Sequence, residues 1–138
     1  MPNMKNTGTG DIPLQFAAKL TGIVNAFYDS GEMLQKVTPI TKDLLRYWLD
    51  PAFADIRPYN FHNGQRQAIL NVIYVHEILK ADNVFNMYEM VDENLLAKLG
   101  ASEVRADKYS YPKYAVKMAT GTGKTWVMSA LLIWQYLN

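Results

Sequence analysis

Apolar residues in the first half of the chain recur at helical rather than strand spacing. Leu14, Ala17, Ala18, Leu20, Ile23, Val24 and Phe27 share one face of a 3.6-residue period. Asp11-Ile12-Pro13 supplies a cap and a first turn for that helix, and Asp29-Ser30-Gly31 its stop. A short helix is predicted over 42–49, apolar through Leu44, Leu45, Tyr47, Trp48 and Leu49, with Thr41 as its cap. Pro51 and Pro58 frame a connector. Ala68, Ile69, Val72, Ile73, His76 and Leu79 then trace the apolar face of a helix over 62–80. Farther on, Asp92-Glu93 reads as the start of another helix, 93–99, because acids suit a first turn, and Gly100 ends it. Only Tyr114-Ala115-Val116-Lys117-Met118 reads as a strand, short and buried. The last helix, 124–137, has only Ser129 and Gln135 as polar residues beyond Thr125. Such a surface expects burial on several sides.

Between that strand and that helix lies Gly121-Thr122-Gly123-Lys124-Thr125. A strand, a glycine-rich loop ending in Gly-Lys-Thr and a helix start together form the setting of a phosphate-binding loop. Gly121 and Gly123 can adopt positive φ, so the main chain can close on an anion with no Cβ in the way. Amides of the loop and of the first helical turn then face the phosphate oxygens, helped by the helix dipole. Lys124 is placed to reach the β- and γ-phosphates, and the Thr125 hydroxyl to hold a Mg²⁺ between them. The strict loop pattern has glycine, and its helicase version alanine, where this chain has Met118. That departure touches the strand exit rather than the phosphate donors. Thr7-Gly8-Thr9-Gly10 echoes the loop, but neither a lysine nor a preceding strand accompanies it.

Gln65 stands near the start of the 62–80 helix. Its amide carries a donor and an acceptor together, the pair that reads the edge of adenine. A glutamine at a helix start is more often a capping or solvated residue; the phosphate loop downstream is what raises the functional reading. His62 and His76 have no cysteine or paired acids at ligand spacing, so they read as structural or solvated, and Glu77 as a surface charge. Asp92-Glu93 precedes the loop instead of ending a buried strand after it, so it is no ATPase acidic motif.

Composition adds boundaries. With 138 residues, 49% hydrophobic and 20% charged, the chain is of globular type. A net charge of +1 gives no field that selects nucleic acid or a membrane surface. The absence of cysteine excludes disulfides, thiolate metal sites and a thiol nucleophile. No apolar run approaches the roughly 18 residues of a membrane span, and Met1–Asn6 lacks the apolar stretch of a signal peptide. A cytoplasmic protein is expected.

Three blocks carry a family likeness: F-H-N-G-Q-R-Q-A-I-L-N at 61–71 with Y-V-H-E at 74–77, K-Y-A-V-K-M-A-T-G-T-G-K-T-W-V-M at 113–128, and A-L-L-I-W-Q-Y-L-N at 130–138. The chain resembles the N-terminal part of the restriction and ATPase subunit of type III restriction–modification enzymes, within the superfamily 2 DNA translocases and helicases. The resemblance covers most of 61–138 and is loose before residue 60. It implies that Gln65 is the adenine-recognising glutamine of the Q motif. It makes Gly121, Thr122, Gly123, Lys124 and Thr125 the ATP site, with Lys124 and Thr125 catalytic and Thr125 the Mg²⁺ ligand. It further implies ATP-driven movement on double-stranded DNA, a DNA-modification methyltransferase subunit as partner, and a C-terminal nuclease that cuts.

The expected fold is therefore α/β, a truncated RecA-like P-loop domain whose visible part is mostly α with one clear strand. Its plan is a flexible arm over 1–10, a helical extension over 11–58 and the first part of the ATPase domain over 59–138. Within that last part the plan holds a Q-motif helix at 62–80, a helical insertion at 81–112, the strand at 113–118, the P-loop at 118–125 and a helix at 124–137. The insertion accounts for the 58 residues between Gln65 and Gly123, a long gap for a helicase core. No later Asp-Glu motif, arginine finger or nuclease cluster follows, so the chain alone is expected to be inactive. Two other readings stay open: a non-catalytic helical module that docks a partner through 11–100, and another P-loop NTPase.

Overall fold

Helix α1 (Ile12–Asp29) buries a stripe of Ile12, Phe16, Leu20 and Val24, a strict i, i+4 series. The computed structural model describes residues 12–98, 116–118, 121 and 123–138. The predicted arm over 1–10 and residues 99–112 of the predicted insertion lie outside that set. The observed α1 stripe is narrower than the sequence pattern, and Leu14 is exposed. Gly31, at φ 84°, turns the chain into the short helix α2 (Glu32–Lys36), which buries Met33.

Helix α3 spans Pro39–Leu49, and its cap is Thr38 rather than Thr41. The Thr38 hydroxyl accepts the Thr41 N–H at 3.1 Å. Pro39 occupies the first helical position, where its missing N–H costs nothing. Thr41 is instead fully buried. After a single 3₁₀ turn (Pro51–Phe53), Arg57 ties the connector back to α3. Its guanidinium donates to the Tyr47 and Asp50 carbonyls, both at 2.8 Å, and so satisfies the open C-terminal end of the helix.

Helix α4 (Asn63–Ile73) runs straight into a π-helical turn, Tyr74–Ile78. It is the central element, packed against α1 on one side and α6 (Lys124–Leu137) on the other. Ile69, Leu70 and Ile73 are fully buried there beside Val24, Met33 and Leu45. The π turn closes with Leu79 N–H on the Tyr74 carbonyl at 2.9 Å and Ala81 N–H on the Val75 carbonyl at 3.2 Å. Between them Lys80 takes φ 53°, a left-handed conformation in which a side chain crowds its own carbonyl. Lys80→Gly is expected to raise stability by about 0.5–1 kcal/mol. The check is the urea midpoint; an unchanged or lower midpoint would show that the side chain compensates for the strained backbone.

Helix α5 (Val84–Lys98) lies along α1, with Phe16 stacked on Tyr88 at 4.0 Å. Asp92 interrupts it with extended backbone, and its carboxylate accepts the Asn94 N–H at 3.0 Å. The acidic pair therefore opens a new helical segment. Lys19 donates to the same carboxylate at 3.0 Å, and that bond holds the Asp92 carboxyl below the usual range.

The α/β expectation is overturned. Among the described residues every regular element is helical and none is a strand. Of the strand predicted over 113–118, residues 113–115 lie outside the described set, and Val116, Lys117 and Met118 form no strand. A strand exists by pairing its backbone with a neighbour, and among the described residues no extended partner is present. The broad burial expected for α6 is not found either. Val127, Ala130 and Trp134 are buried, whereas Met128, Leu132, Ile133, Tyr136 and Leu137 are exposed.

Candidate functional site

The α4 N-terminus is closed by a reciprocal pair three residues apart. His62 Nδ1 accepts the Gln65 N–H at 3.3 Å, and Gln65 Oε1 accepts the His62 N–H at 3.1 Å. Such a capping box satisfies two of the donors a helix start leaves open. Gln65 Oε1 also accepts the Tyr59 hydroxyl at 3.1 Å. The other end of the amide crosses to the glycine loop, where Nε2 donates to the Gly123 carbonyl at 3.1 Å. Gln65 is fully buried. Two sequence motifs 58 residues apart thus meet through one hydrogen bond.

The two glycines of the loop have the positive φ that their lack of a Cβ allows. Gly121 sits at φ 82°, and Gly123 at φ 78° and ψ 40°. Gly123 is also where the Gln65 side chain closes on the loop backbone, since a Cβ placed on it would stand 2.2 Å from Gln65 Nε2. Helix α6 begins at Lys124 with no side chain capping its first turn. Within that turn the Trp126 N–H donates to the Gly123 carbonyl at 3.1 Å, and the side chains of Lys124 and Thr125 are exposed. Thr122 lies outside the described residues, with Ala119 and Thr120. Met118 packs against the core. Trp126 stacks on Tyr59 with ring centroids 4.2 Å apart and planes 6° from parallel. This stack adjoins the Gln65–Gly123 contact, the Tyr59 hydroxyl bonding Gln65 and the Trp126 ring standing 3.6 Å from a Cβ built on Gly123.

At the opposite end of α6, roughly 20 Å away at 1.5 Å per residue, a second polar group forms around Glu77. Its carboxylate accepts the Thr38 N–H at 2.9 Å, the Thr41 hydroxyl at 2.5 Å and the Trp134 indole N–H at 2.6 Å. Glu77 is therefore no surface charge; it joins α3, the π turn and α6. Beside it lies a cavity of 490 Å³ lined by Lys36, His76, Lys80, Trp134 and Asn138, among others. His76 meets Trp134 edge to face at 5.3 Å, and His62 is a helix cap, so both histidines have structural roles. No group of three or more metal-ligating side chains occurs among the described residues.

Sequence reasoning missed Tyr59, Trp126 and Glu77. The His62-x-x-Gln65 spacing did carry the signal of a capping box. No sequence pattern marks the stack or the three-way contact at Glu77, because both depend on helix packing. No helix among the described residues is long and apolar enough to cross a membrane. No protein-family model matches the chain, and no curated protein or solved structure matches it either.

Proposed function

We propose that the chain binds the polyphosphate of ATP, with Mg²⁺, at Gly121–Thr125. On this reading the α6 amides and Lys124 hold the phosphates, Thr125 holds the metal, and Gln65 supports the loop. The observation that carries the reading is the Gln65–Gly123 hydrogen bond. It brings the glutamine block and the glycine loop into one site, with the loop glycines in left-handed conformations and the helix start uncapped. The resemblance to type III restriction subunits extends the proposal to a parent that moves on double-stranded DNA beside a methyltransferase subunit. Hydrolysis and cleavage are assigned to that parent.

Lys124→Ala is expected to weaken Mg·ATP binding by about tenfold or more, since it removes a charge-assisted contact to phosphate. The check is titration of a fluorescent ATP analogue with and without Mg²⁺. Equal affinity of wild type and variant would remove the loop from the binding site.

A further inference from the structure

The hydrogen-bond inventory of Gln65 decides what the nucleotide site reads. A side-chain amide has two N–H donors and one oxygen with two lone pairs. Both lone pairs are in use, one by the His62 N–H and one by the Tyr59 hydroxyl, each at 3.1 Å. One donor is spent on the Gly123 carbonyl at 3.1 Å. The remaining hydrogen reaches no solvent, because the residue is fully buried. Reading adenine takes a free donor and a free acceptor side by side, and Gln65 presents neither. Turning it toward a base would break three internal hydrogen bonds for the two that an adenine edge returns. The same turn would undo half of the α4 capping box, the His62 N–H losing its acceptor.

The neighbouring ring offers a different kind of contact. Trp126 follows the loop directly, stacks on Tyr59 and is still 49% exposed. Every nucleobase has a π face, so stacking on an indole tolerates all of them.

We infer that Gln65 is a positioning residue which fixes Gly123, and that the site takes nucleoside triphosphates without selecting the base. The base rests on the exposed indole of Trp126. This rests on the nucleotide-binding reading above and narrows it: the phosphates are recognised, and the adenine edge is not.

The test titrates the full chain with Mg²⁺ complexes of ATP, GTP and tripolyphosphate. ATP and GTP are expected to differ by less than about fivefold. Gln65→Leu is expected to weaken all three ligands by a similar factor, about tenfold, because it loosens the loop they share. Gln65→Glu provides a second variant should Gln65→Leu not fold. It keeps an oxygen for His62 and Tyr59 but sets another against the Gly123 carbonyl, so it too must weaken tripolyphosphate. A preference for ATP over GTP of about fivefold or more overturns the inference. So does a folded Gln65 variant with undiminished tripolyphosphate binding. Failure of every triphosphate to bind overturns the nucleotide reading itself and this inference with it, an outcome distinct from selective binding of ATP.

Discussion

Glu77→Ala is expected to destabilise the fold by about 3 kcal/mol, because it leaves polar partners on two other helices without their acceptor. The Thr38 N–H, the Thr41 hydroxyl and the Trp134 indole all donate to this carboxylate. Thr41 is fully buried and Trp134 nearly so, which makes water a poor substitute. Trp134 retains one acceptor, the Thr41 oxygen at 3.0 Å, so the loss is smaller than three separate bonds would give. Glu77→Gln keeps one oxygen but turns an NH₂ toward donors, and about half of the destabilisation should persist. Glu89→Ala, on the exposed side of α5, is the control and should change stability by less than about 0.5 kcal/mol. The measurement is urea unfolding followed by helical circular dichroism. Matching midpoints for Glu77→Ala and Glu89→Ala would mean that the contact does not hold α3, the π turn and α6 together.

The same residue shows where sequence pattern stops informing. Helix faces of Leu20, Val24, Ile69 and Ile73 follow from periodicity, since a regular 3.6-residue repeat places them before any packing is known. Glu77 sits inside a π turn, where the repeat lengthens and side chains shift from their helical positions. Its partners come from elements 36, 39 and 57 residues away, a distance that no local pattern encodes. The glycine loop was legible for the opposite reason, because positive φ is a property of the residue itself. The strand at 113–118 misled because a short, mostly apolar run ahead of a glycine loop describes side chains, whereas a strand is made by pairing with a neighbour. Gln65 lies between these cases. Its place at a helix start was visible, and so was its spacing from His62. The full use of its amide was not, since Tyr59 and Gly123 reach it only through tertiary packing.

Gly123→Ala is expected to be the most damaging single methyl in the loop. Three glycines share almost the same backbone: Gly31 at φ 84°, Gly121 at 82° and Gly123 at 78°. For each, a Cβ in the left-handed region costs about 1 kcal/mol. Among the described residues a Cβ on Gly31 or Gly121 meets nothing within 4 Å, so that backbone cost is the whole effect there. At Gly123 the added carbon would lie 2.2 Å from Gln65 Nε2, far inside contact distance. Gln65 cannot swing aside cheaply, being fully buried and held by Tyr59 and His62. Relief therefore requires breaking the Nε2–Gly123 bond and displacing the α6 start, and a total loss of about 3 kcal/mol is expected. Gly121→Ala and Gly31→Ala should each cost only about a third of that. A double-mutant cycle isolates the clash, because in a Gln65→Ala background Gly123→Ala should fall back to about 1 kcal/mol. Urea unfolding of the single and double variants gives the numbers. If Gly123→Ala costs no more than Gly121→Ala, or keeps its full cost without the Gln65 side chain, the close approach of these two residues does not set the loop.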